Sequence, residues 1–154
     1  MKKVMFISSE GGHLAELRQL DFEKYDYSVV TEKTETNKDL KKVYKDRMHY
    51  LVYGTRKNIL LYPFILLINC FISLYLFIKI RPDVVVSTGT HTAGPMCCIA
   101  KIFGKKVIWI ETFANRNSKT AAGRLVYHFA DVFVVQWKEM LKIYPKAQYW
   151  GWIY

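Results

Sequence analysis

The chain has 154 residues, of which 51% are hydrophobic and 16% aromatic, and its formal net charge is +10. This composition excludes a disordered chain and suits one domain with a sizeable core. The positive charge favours polyanionic partners, namely nucleic acid, anionic lipid headgroups or diphosphate substrates, although a solvated basic surface explains any single cluster equally well. The three cysteines show no metal-ligand or disulfide spacing, so we expect neither a metal ion nor a cofactor.

Apolar runs of strand length alternate with helical patterns along the chain. Strands are predicted near residues 3–8, 26–30, 48–52, 83–87, 106–110, 131–135 and 147–150, and helices near 12–20, 58–79, 93–103, 120–130 and 137–144. Residues 31–47 are polar and are predicted as a surface loop or a short helix. This alternation predicts an α/β fold over residues 1–154, with a single Rossmann-like, doubly wound parallel sheet.

Two glycine-containing loops each follow a predicted buried strand. Residues 9–13 read SEGGH after the first strand, and residues 87–95 read STGTHTAGP after the fourth. Glycines between a parallel strand and a helix allow backbone N–H groups to approach an anion. Ligands of open parallel sheets bind beyond the carboxyl ends of the strands, where both loops would lie. The pattern therefore predicts a cleft for a phosphorylated ligand, with His13 and His91 in its two loops.

A long uncharged run occupies residues 59–78, which would rise about 30 Å as a helix and could cross a bilayer. A full crossing would place the strands of one sheet on two sides of the membrane. We therefore expect a helix over 58–79 that covers the sheet with one side and enters the lipid interface with the other. Complete burial in protein and a spanning helix are the alternatives. Four basic residues flank the run: Arg56, Lys57, Lys79 and Arg81.

Three motifs in order carry a resemblance to a known family. They are residues 9–13, residues 81–89 (RPDVVVSTG) and residues 110–114 (IETFA), with the apolar helix between the first two. Together they resemble the membrane-anchor subunit of the two-component UDP-GlcNAc transferase of Asn-linked glycosylation and its bacterial capsule and exopolysaccharide counterparts. More distantly, the chain is similar to the N-terminal half of the peptidoglycan GlcNAc transferase. The resemblance covers nearly the whole chain and implies the N-terminal half of a GT-B glycosyltransferase.

The resemblance also implies a function and partners. This half would bind a polyprenyl-diphosphate-linked saccharide at the cytoplasmic face of the cell membrane. A separate catalytic glycosyltransferase subunit would carry the UDP-sugar site, and a chain of this length leaves no room for that second domain. The pair would transfer a sugar with inversion in capsule or exopolysaccharide biosynthesis. We expect this chain to be an accessory, membrane-recruiting subunit that is inactive, or nearly so, without its partner.

Roles for single residues follow from position and resemblance. His13 is the candidate general base that accepts the proton of a sugar hydroxyl, and the alternative is a helix cap or a simple ligand contact. Glu111, at the end of a strand, would bind a sugar or orient that base, with capping of the next helix as its alternative. The candidate acceptor or diphosphate contacts are Glu10, Gly11, Gly12, Thr88, Gly89, Thr90, His91, Gly94 and Arg116.

Several of these contacts have a plain structural alternative. Each glycine could simply permit a tight turn, most of all Gly94, and Arg116 could be ordinary surface charge. His91 is as well explained by a structural role. A carboxylate repels a diphosphate, so Glu10 is expected on sugar hydroxyls or beside His13.

The C-terminal tail, residues 147–154, is rich in aromatic residues. Trp150, Trp152 and Tyr154 are expected to dock the partner chain, since aromatic side chains anchor many interfaces. A last strand packed on the domain's own core is the alternative.

Two other function classes compete. A nicotinamide-dependent Rossmann oxidoreductase would use Glu32, twenty residues after Gly12, to bind a ribose. Against it, Glu10 replaces the first glycine of the fingerprint, where a tight turn beside a pyrophosphate tolerates an acid poorly. A nucleic-acid-binding module rests on charge alone, so no nucleic-acid partner is expected.

Overall fold

A computed structural model of the chain describes residues 1–54 and 60–153. The predicted start of the apolar helix at residue 58, its flanking residues Arg56 and Lys57, and Tyr154 of the tail lie outside the described residues.

The described strands form one parallel sheet, which confirms the predicted α/β class. The strand order is β3-β2-β1-β4-β5-β6-β7, and every adjacent pair is parallel. The strands are β1 (Lys3–Ile7), β2 (Asp26–Glu32), β3 (Met48–Leu51), β4 (Val84–Ser87), β5 (Lys106–Ile110), β6 (Val132–Val135) and β7 (Gln148–Tyr149).

Helices connect these strands. The α-helices are α1 (Gly12–Leu17), α2 (Leu40–Tyr44), α3 (Tyr62–Ile80), α4 (Gly94–Ile102) and α5 (Ala121–Val126). Short 3₁₀ turns lie at Phe22–Lys24, Lys45–Arg47, His91–Ala93 and Lys138–Lys142.

The sheet has an apolar cluster on each face, as a doubly wound fold requires. Alternate residues of β1 show this division, because side chains of a strand point to opposite faces. Met5 and Ile7 pack in the cluster that includes Trp109 and residues of α3 and α4. Val4 and Phe6 pack in the second cluster, on the opposite face.

Two predicted segments differ from the structure. Thr31 and Glu32 were assigned to a polar loop, yet they extend β2 because they pair with the end of β3 and are buried. The predicted helix at 137–144 is only the 3₁₀ turn Lys138–Lys142. Pro145 disfavours helical geometry at the preceding residue, so no helix continues past this turn.

The chain reverses its direction of winding between β1 and β4. From β1 the sheet grows outward to β2 and β3 on one side, and from β4 to β5, β6 and β7 on the other. Because β1 and β4 are neighbours, the loops that follow them meet at the carboxyl edge of the sheet. This switch point is the place where open α/β sheets bind ligands.

Helix α3 buries two polar residues and exposes much of its apolar surface. Asn69 and Ser73 are buried, whereas Phe64 and Phe71 are each 66% exposed. Among the described residues, α3 is the one helix long and apolar enough to cross a membrane, by length and composition alone. The buried stripe packs toward the sheet and α4, so the helix presents a broad apolar face to its surroundings.

Asn69 attaches α3 to the segment after β3. Its Oδ1 accepts a hydrogen bond from the Val52 backbone N–H at 2.8 Å, and its Nδ2 donates to the Val52 carbonyl oxygen at 2.8 Å. The side-chain amide thus pairs with one residue as a neighbouring strand would. Ser73, one turn later, has a buried hydroxyl without a hydrogen-bond partner in the described part of the chain.

This contrast predicts different effects for two similar substitutions. Asn69→Leu leaves both polar groups of Val52 without their partner, so we expect the free energy of unfolding to fall by about 1–3 kcal/mol. Ser73→Ala removes a hydroxyl that forms no such bond, and we expect a change within about 0.5 kcal/mol. Urea unfolding in the same buffer compares the two variants. Equal losses would show that the Asn69 bonds do not stabilise the fold.

Candidate functional site

The two glycine loops are bonded to each other at the switch point. The Ser9 backbone N–H donates to the Gly89 carbonyl oxygen at 3.0 Å, and the Thr90 N–H donates to the Ser9 hydroxyl oxygen at 3.2 Å. The Gly89 N–H donates to the Ser87 hydroxyl oxygen at 3.0 Å. The structure therefore brings the two predicted loops together as one unit.

His13 is fixed in orientation by this unit. Its Nδ1 lies 2.8 Å from the Thr88 carbonyl oxygen, and the Thr88 hydroxyl donates to the His13 carbonyl oxygen at 2.7 Å. Because a carbonyl oxygen only accepts, Nδ1 must carry the proton. In the neutral ring Nε2 then keeps its lone pair. This tautomer is the one that a general base acting through Nε2 requires.

Gly89 leaves space for the imidazole ring of His13, which lies against its backbone. Its φ of +99° lies in the region that glycine adopts without strain. A Cβ at this position would lie 3.1 Å from Nδ1 of His13 and 3.7 Å from the Trp109 ring. The backbone can thus approach the imidazole closely only because residue 89 has no side chain.

The first loop faces open space. A Cβ added at Gly11 or at Gly12 would meet no atom within 4 Å. Gly11 has a φ of +82°, so its turn favours glycine for conformational reasons. Gly94 is different, because its φ is −52° and no atom crowds it. Neither the backbone conformation nor a close neighbouring atom requires glycine at position 94.

Glu32 is buried and joins three loops. Its Oε1 accepts from the Thr92 hydroxyl at 2.8 Å and from the Gly54 backbone N–H at 3.2 Å. Its Oε2 accepts from the Glu10 backbone N–H at 3.3 Å, and Nε2 of His91 lies 3.9 Å from Oε1. The carboxylate holds the loops after β1, β3 and β4 in one arrangement.

The hydrogen bonds of Glu32 argue against the oxidoreductase alternative. That function needs the carboxylate of Glu32 to bind a ribose, but the residue is 2% exposed and its two oxygens already accept from three donors. Glu32 is therefore not the free acid that the nicotinamide interpretation requires of it.

The remaining residues of the two loops have local partners. The Glu10 carboxylate accepts from the Thr36 hydroxyl at 2.6 Å and points toward the segment after β2. The Thr90 hydroxyl oxygen accepts from the backbone N–H of His91. The His91 ring packs on that of Tyr62 at a centroid distance of 5.5 Å, so the second loop contacts the start of α3.

Glu111 lies beneath α5. It is 2% exposed, its Oε2 accepts from Trp109 Nε1 at 3.0 Å, and a Cβ at Gly123 would be only 2.2 Å from Oε2. Burial and the nearby Glu111 carboxylate raise the pKa of the Tyr144 hydroxyl. Thr120 caps α5 instead, since its hydroxyl oxygen accepts from the Gly123 N–H at 2.9 Å. The described contacts of Glu111 do not include His13, and its catalytic role stays a prediction.

A third buried carboxylate, Glu16, is one that the sequence analysis did not single out. Its Oε1 accepts from the Thr112 hydroxyl at 2.8 Å and the Phe113 N–H at 3.0 Å, and its Oε2 accepts from Gln136 Nε2 at 3.3 Å. Burial raises the pKa of the Glu16 carboxyl, while these hydrogen bonds and the nearby His13 oppose the rise. No spacing signal marks this residue, because its donors lie about a hundred residues later in the chain.

The residues after β5 and β6 form an aromatic cluster. The Trp152 ring lies 5.1 Å from that of Trp137 and 5.5 Å from that of Phe113, by centroids. The Arg116 guanidinium stacks 4.2 Å above the Trp137 ring. Trp150 and Trp152 are 63% and 57% exposed. The tail therefore has one end packed on its own domain and large aromatic surfaces facing outward, and its docking role stays a prediction.

Within residues 1–54 and 60–153, no group of three or more His, Cys, Asp and Glu side chains is arranged to hold a metal ion.

Comparison with known proteins gives a family match over most of the chain. Residues 4–153 match the family model described as "Alg14: Oligosaccharide biosynthesis protein Alg14 like". The human "UDP-N-acetylglucosamine transferase subunit ALG14" is 32% identical over 89 residues, which cover 54% of this chain and 41% of that protein. Its counterpart in Eremothecium gossypii is 41% identical over 76 residues, covering 46% and 34%. The chain spans less than half the length of these relatives.

Solved structures show the same fold. MurG of Acinetobacter baumannii has a TM-score of 0.70 at 21% identity, covering 90% of this chain and 43% of that one. UDP-GlcNAc 2-epimerase of Methanocaldococcus jannaschii, solved with UDP-GlcNAc and UDP, has a TM-score of 0.71 at 14% identity, covering 94% and 43%. The expected likeness to one half of a GT-B protein is confirmed.

The contact between Gly89 and His13 can be tested against a matched glycine. Gly104 also has a positive φ, +67°, but a Cβ there would meet no atom within 4 Å. We expect Gly104→Ala to cost about 1 kcal/mol from backbone strain alone. Gly89→Ala should cost about 1 kcal/mol more, because the added methyl displaces the His13 ring from Thr88.

Urea unfolding measures both losses, and the ring resonances of His13 report its displacement by NMR. Equal costs with an unchanged His13 signal would show that Gly89 does not hold the imidazole in place.

Proposed function

The chain belongs to the Alg14 family of oligosaccharide biosynthesis proteins, and on that premise we propose that it is the acceptor-binding subunit of a two-chain glycosyltransferase. The acceptor is a polyprenyl-diphosphate-linked saccharide, and the donor is a UDP-sugar held by a separate catalytic chain. The observation that carries this proposal is the pair of bonded loops at the switch point, which present an oriented His13 beside open space at Gly11 and Gly12.

The chemistry follows from the tautomer of His13. A hydroxyl oxygen of the acceptor sugar attacks the anomeric carbon of the donor from the side opposite the nucleotide. The bond from that carbon to the nucleotide oxygen breaks, UDP departs with the bonding electrons, and the configuration inverts. Nε2 takes the hydroxyl proton, while the Thr88 carbonyl oxygen, which accepts from Nδ1, stabilises the resulting imidazolium.

The acceptor diphosphate would lie along the loops. Gly11, Gly12 and Gly89 give the backbone its close approach, and Thr90 and His91 add side-chain donors. The predicted contact from Thr88 does not fit, because its hydroxyl is buried and already donates to the His13 carbonyl oxygen. Gly94 and Arg116 complete the proposed set. Glu10 would face the saccharide, because its carboxylate repels phosphate. Glu111 would act as a positioning residue through Trp109 and the β5 edge.

The names of the relatives support the proposal of a second chain. Each curated relative described above is called a subunit of a UDP-N-acetylglucosamine transferase. We infer a partner that supplies the nucleotide-sugar half and docks on Trp150, Trp152 and Tyr154 of the tail. We propose capsule or exopolysaccharide biosynthesis as the setting, on the resemblance of the three sequence motifs to bacterial members of this family.

Membrane recruitment rests on α3. Its exposed face carries Phe64, Leu67, Phe71 and Tyr75, each more than half exposed. An apolar surface of this kind enters the interface of a bilayer without crossing it. The net charge of +10 adds attraction to the anionic cytoplasmic leaflet. The subunit would therefore lie on the cytoplasmic face of the cell membrane.

The base is tested with the assembled enzyme. The chain is co-expressed with a candidate catalytic partner that carries a nucleotide-sugar site, and transfer of labelled sugar to a polyprenyl-diphosphate acceptor is measured. We expect His13→Ala to lower the rate by about a hundred-fold or more, since general base catalysis is lost. The control is His128→Ala, which alters an exposed histidine outside the site and should keep the full rate.

Two outcomes would contradict the proposal. A full rate in the His13 variant would show that His13 is not the general base, and full activity of this chain alone would refute the two-chain enzyme.

The membrane face is tested by vesicle sedimentation. Phe71→Glu places a charge on the exposed face of α3 and should lower the fraction bound to vesicles containing anionic phospholipid by about ten-fold. Val43→Glu introduces the same charge at a residue of α2 that is 64% exposed, and we expect it to bind almost as the unchanged chain does. Equal losses in both variants would show that net charge, and not the α3 face, governs membrane binding.

A further inference from the structure

An apolar groove lies between α3, α4 and α5 on the side of the sheet that these helices cover. Its volume is about 490 Å³. The walls consist chiefly of small and aliphatic side chains, among them Leu66, Pro95, Cys98, Ile99, Ala121 and Leu125. No Asp, Glu, Lys or Arg of the described residues lines it. Water in such a groove finds almost no hydrogen-bond partners, so an apolar occupant is favoured.

One end of the groove reaches the proposed acceptor loops. His91 and Gly94 line this end, and Tyr62 of α3 closes it by packing against the His91 ring at 5.5 Å. An occupant of the groove would thus begin beside the loop that is proposed to hold the diphosphate.

The α3 wall continues into the exposed apolar face of the same helix. Leu66 and Cys70 line the groove, while Leu67 and Phe71, their neighbours in sequence, are 55% and 66% exposed. The groove and the outer face of α3 therefore form one uninterrupted apolar surface that leads away from the loops.

The loop end of the groove is polar, whereas its interior is apolar. The His91 ring and the Gly94 backbone lie at that end. This division complements an apolar chain that carries a polar diphosphate head.

We infer that this groove holds the first isoprene units of the acceptor lipid, next to its diphosphate; the inference rests on the proposed function. A group the size of a water molecule takes up about 30 Å³, so the groove has room for roughly sixteen carbon-sized groups. Because an isoprene unit has five carbons, this room corresponds to about three isoprene units. The rest of the chain would leave along the outer face of α3 into the bilayer.

Two soluble probes separate the tail from the head. Binding of inorganic diphosphate and of farnesyl diphosphate to the full chain is measured by titration calorimetry. We expect farnesyl diphosphate to bind at least about ten-fold more tightly, because only it buries apolar carbon in the groove. Ala121→Trp places an indole in the groove from an exposed helix position and should remove most of this advantage, while leaving the affinity for inorganic diphosphate unchanged.

A matched variant controls for added aromatic surface. Ile102→Trp alters an apolar residue of α4 that is 80% exposed and does not line the groove, and it should keep the preference for farnesyl diphosphate. The cysteines give a local readout. Farnesyl diphosphate, but not inorganic diphosphate, should slow the alkylation of Cys98 by N-ethylmaleimide in a Cys70→Ser variant.

The outcomes distinguish the inference from the function on which it rests. Equal affinity for the two probes, or an Ala121→Trp variant that still prefers farnesyl diphosphate, would overturn the groove assignment and leave diphosphate binding intact. Failure of both probes to bind would count against the proposed function itself. If Ala121→Trp weakened assembly with the catalytic partner but not farnesyl diphosphate binding, the groove would be a protein-docking surface and the inference would be wrong.

Discussion

The pairing of β1 with β4 is the constraint on which the site depends. Two parallel strands that are neighbours deliver their following loops to one edge, although the loops lie some 75 residues apart in the chain. Backbone and side-chain hydrogen bonds then join them, with Ser9, Thr88 and Gly89 at the centre. The orientation of His13 results from these bonds, since its Nδ1 partner belongs to the opposite loop. A change that separates the strands would therefore disturb the orientation of the His13 ring.

Two buried carboxylates make this edge rigid. Glu32 gathers donors from the loops after β1, β3 and β4, and Glu16 gathers donors from the segment after β5 and from Gln136. A buried acid is costly unless it is well hydrogen-bonded, and each of these accepts three bonds. Both stabilise loop positions around His13 and neither needs to touch a ligand. The arrangement of the loops at this edge thus depends on buried residues around the cleft.

The sequence predicted the elements whose signal is local. The strands were visible as β-branched apolar runs, and the two glycine loops as breaks after buried strands, so the α/β class and the His13 loop could be identified. The contacts of Glu32 and Glu111 could not be predicted, because the direction of a side chain at a strand end depends on partners elsewhere in the fold. Glu32 was weighed only as a ribose ligand, and its true partners include Thr92, sixty residues away. Glu111 was placed at the ligand edge, yet its carboxylate packs against Gly123 of α5.

Helix α3 shows how a nearly uniform apolar sequence can still adopt one rotation. Hydrophobic burial alone gives such a helix little preference for which side faces the sheet, because every side is similarly apolar. The bonds from Asn69 to both polar groups of Val52 supply that preference, since only one rotation lets the amide reach the segment after β3. Once Asn69 is inside, Phe64 and Phe71 must lie outside and Leu66 must face α4. The same two hydrogen bonds thus determine the apolar outer face and the wall of the groove, which explains why a helix with an apolar outer face carries Asn69 on its buried side.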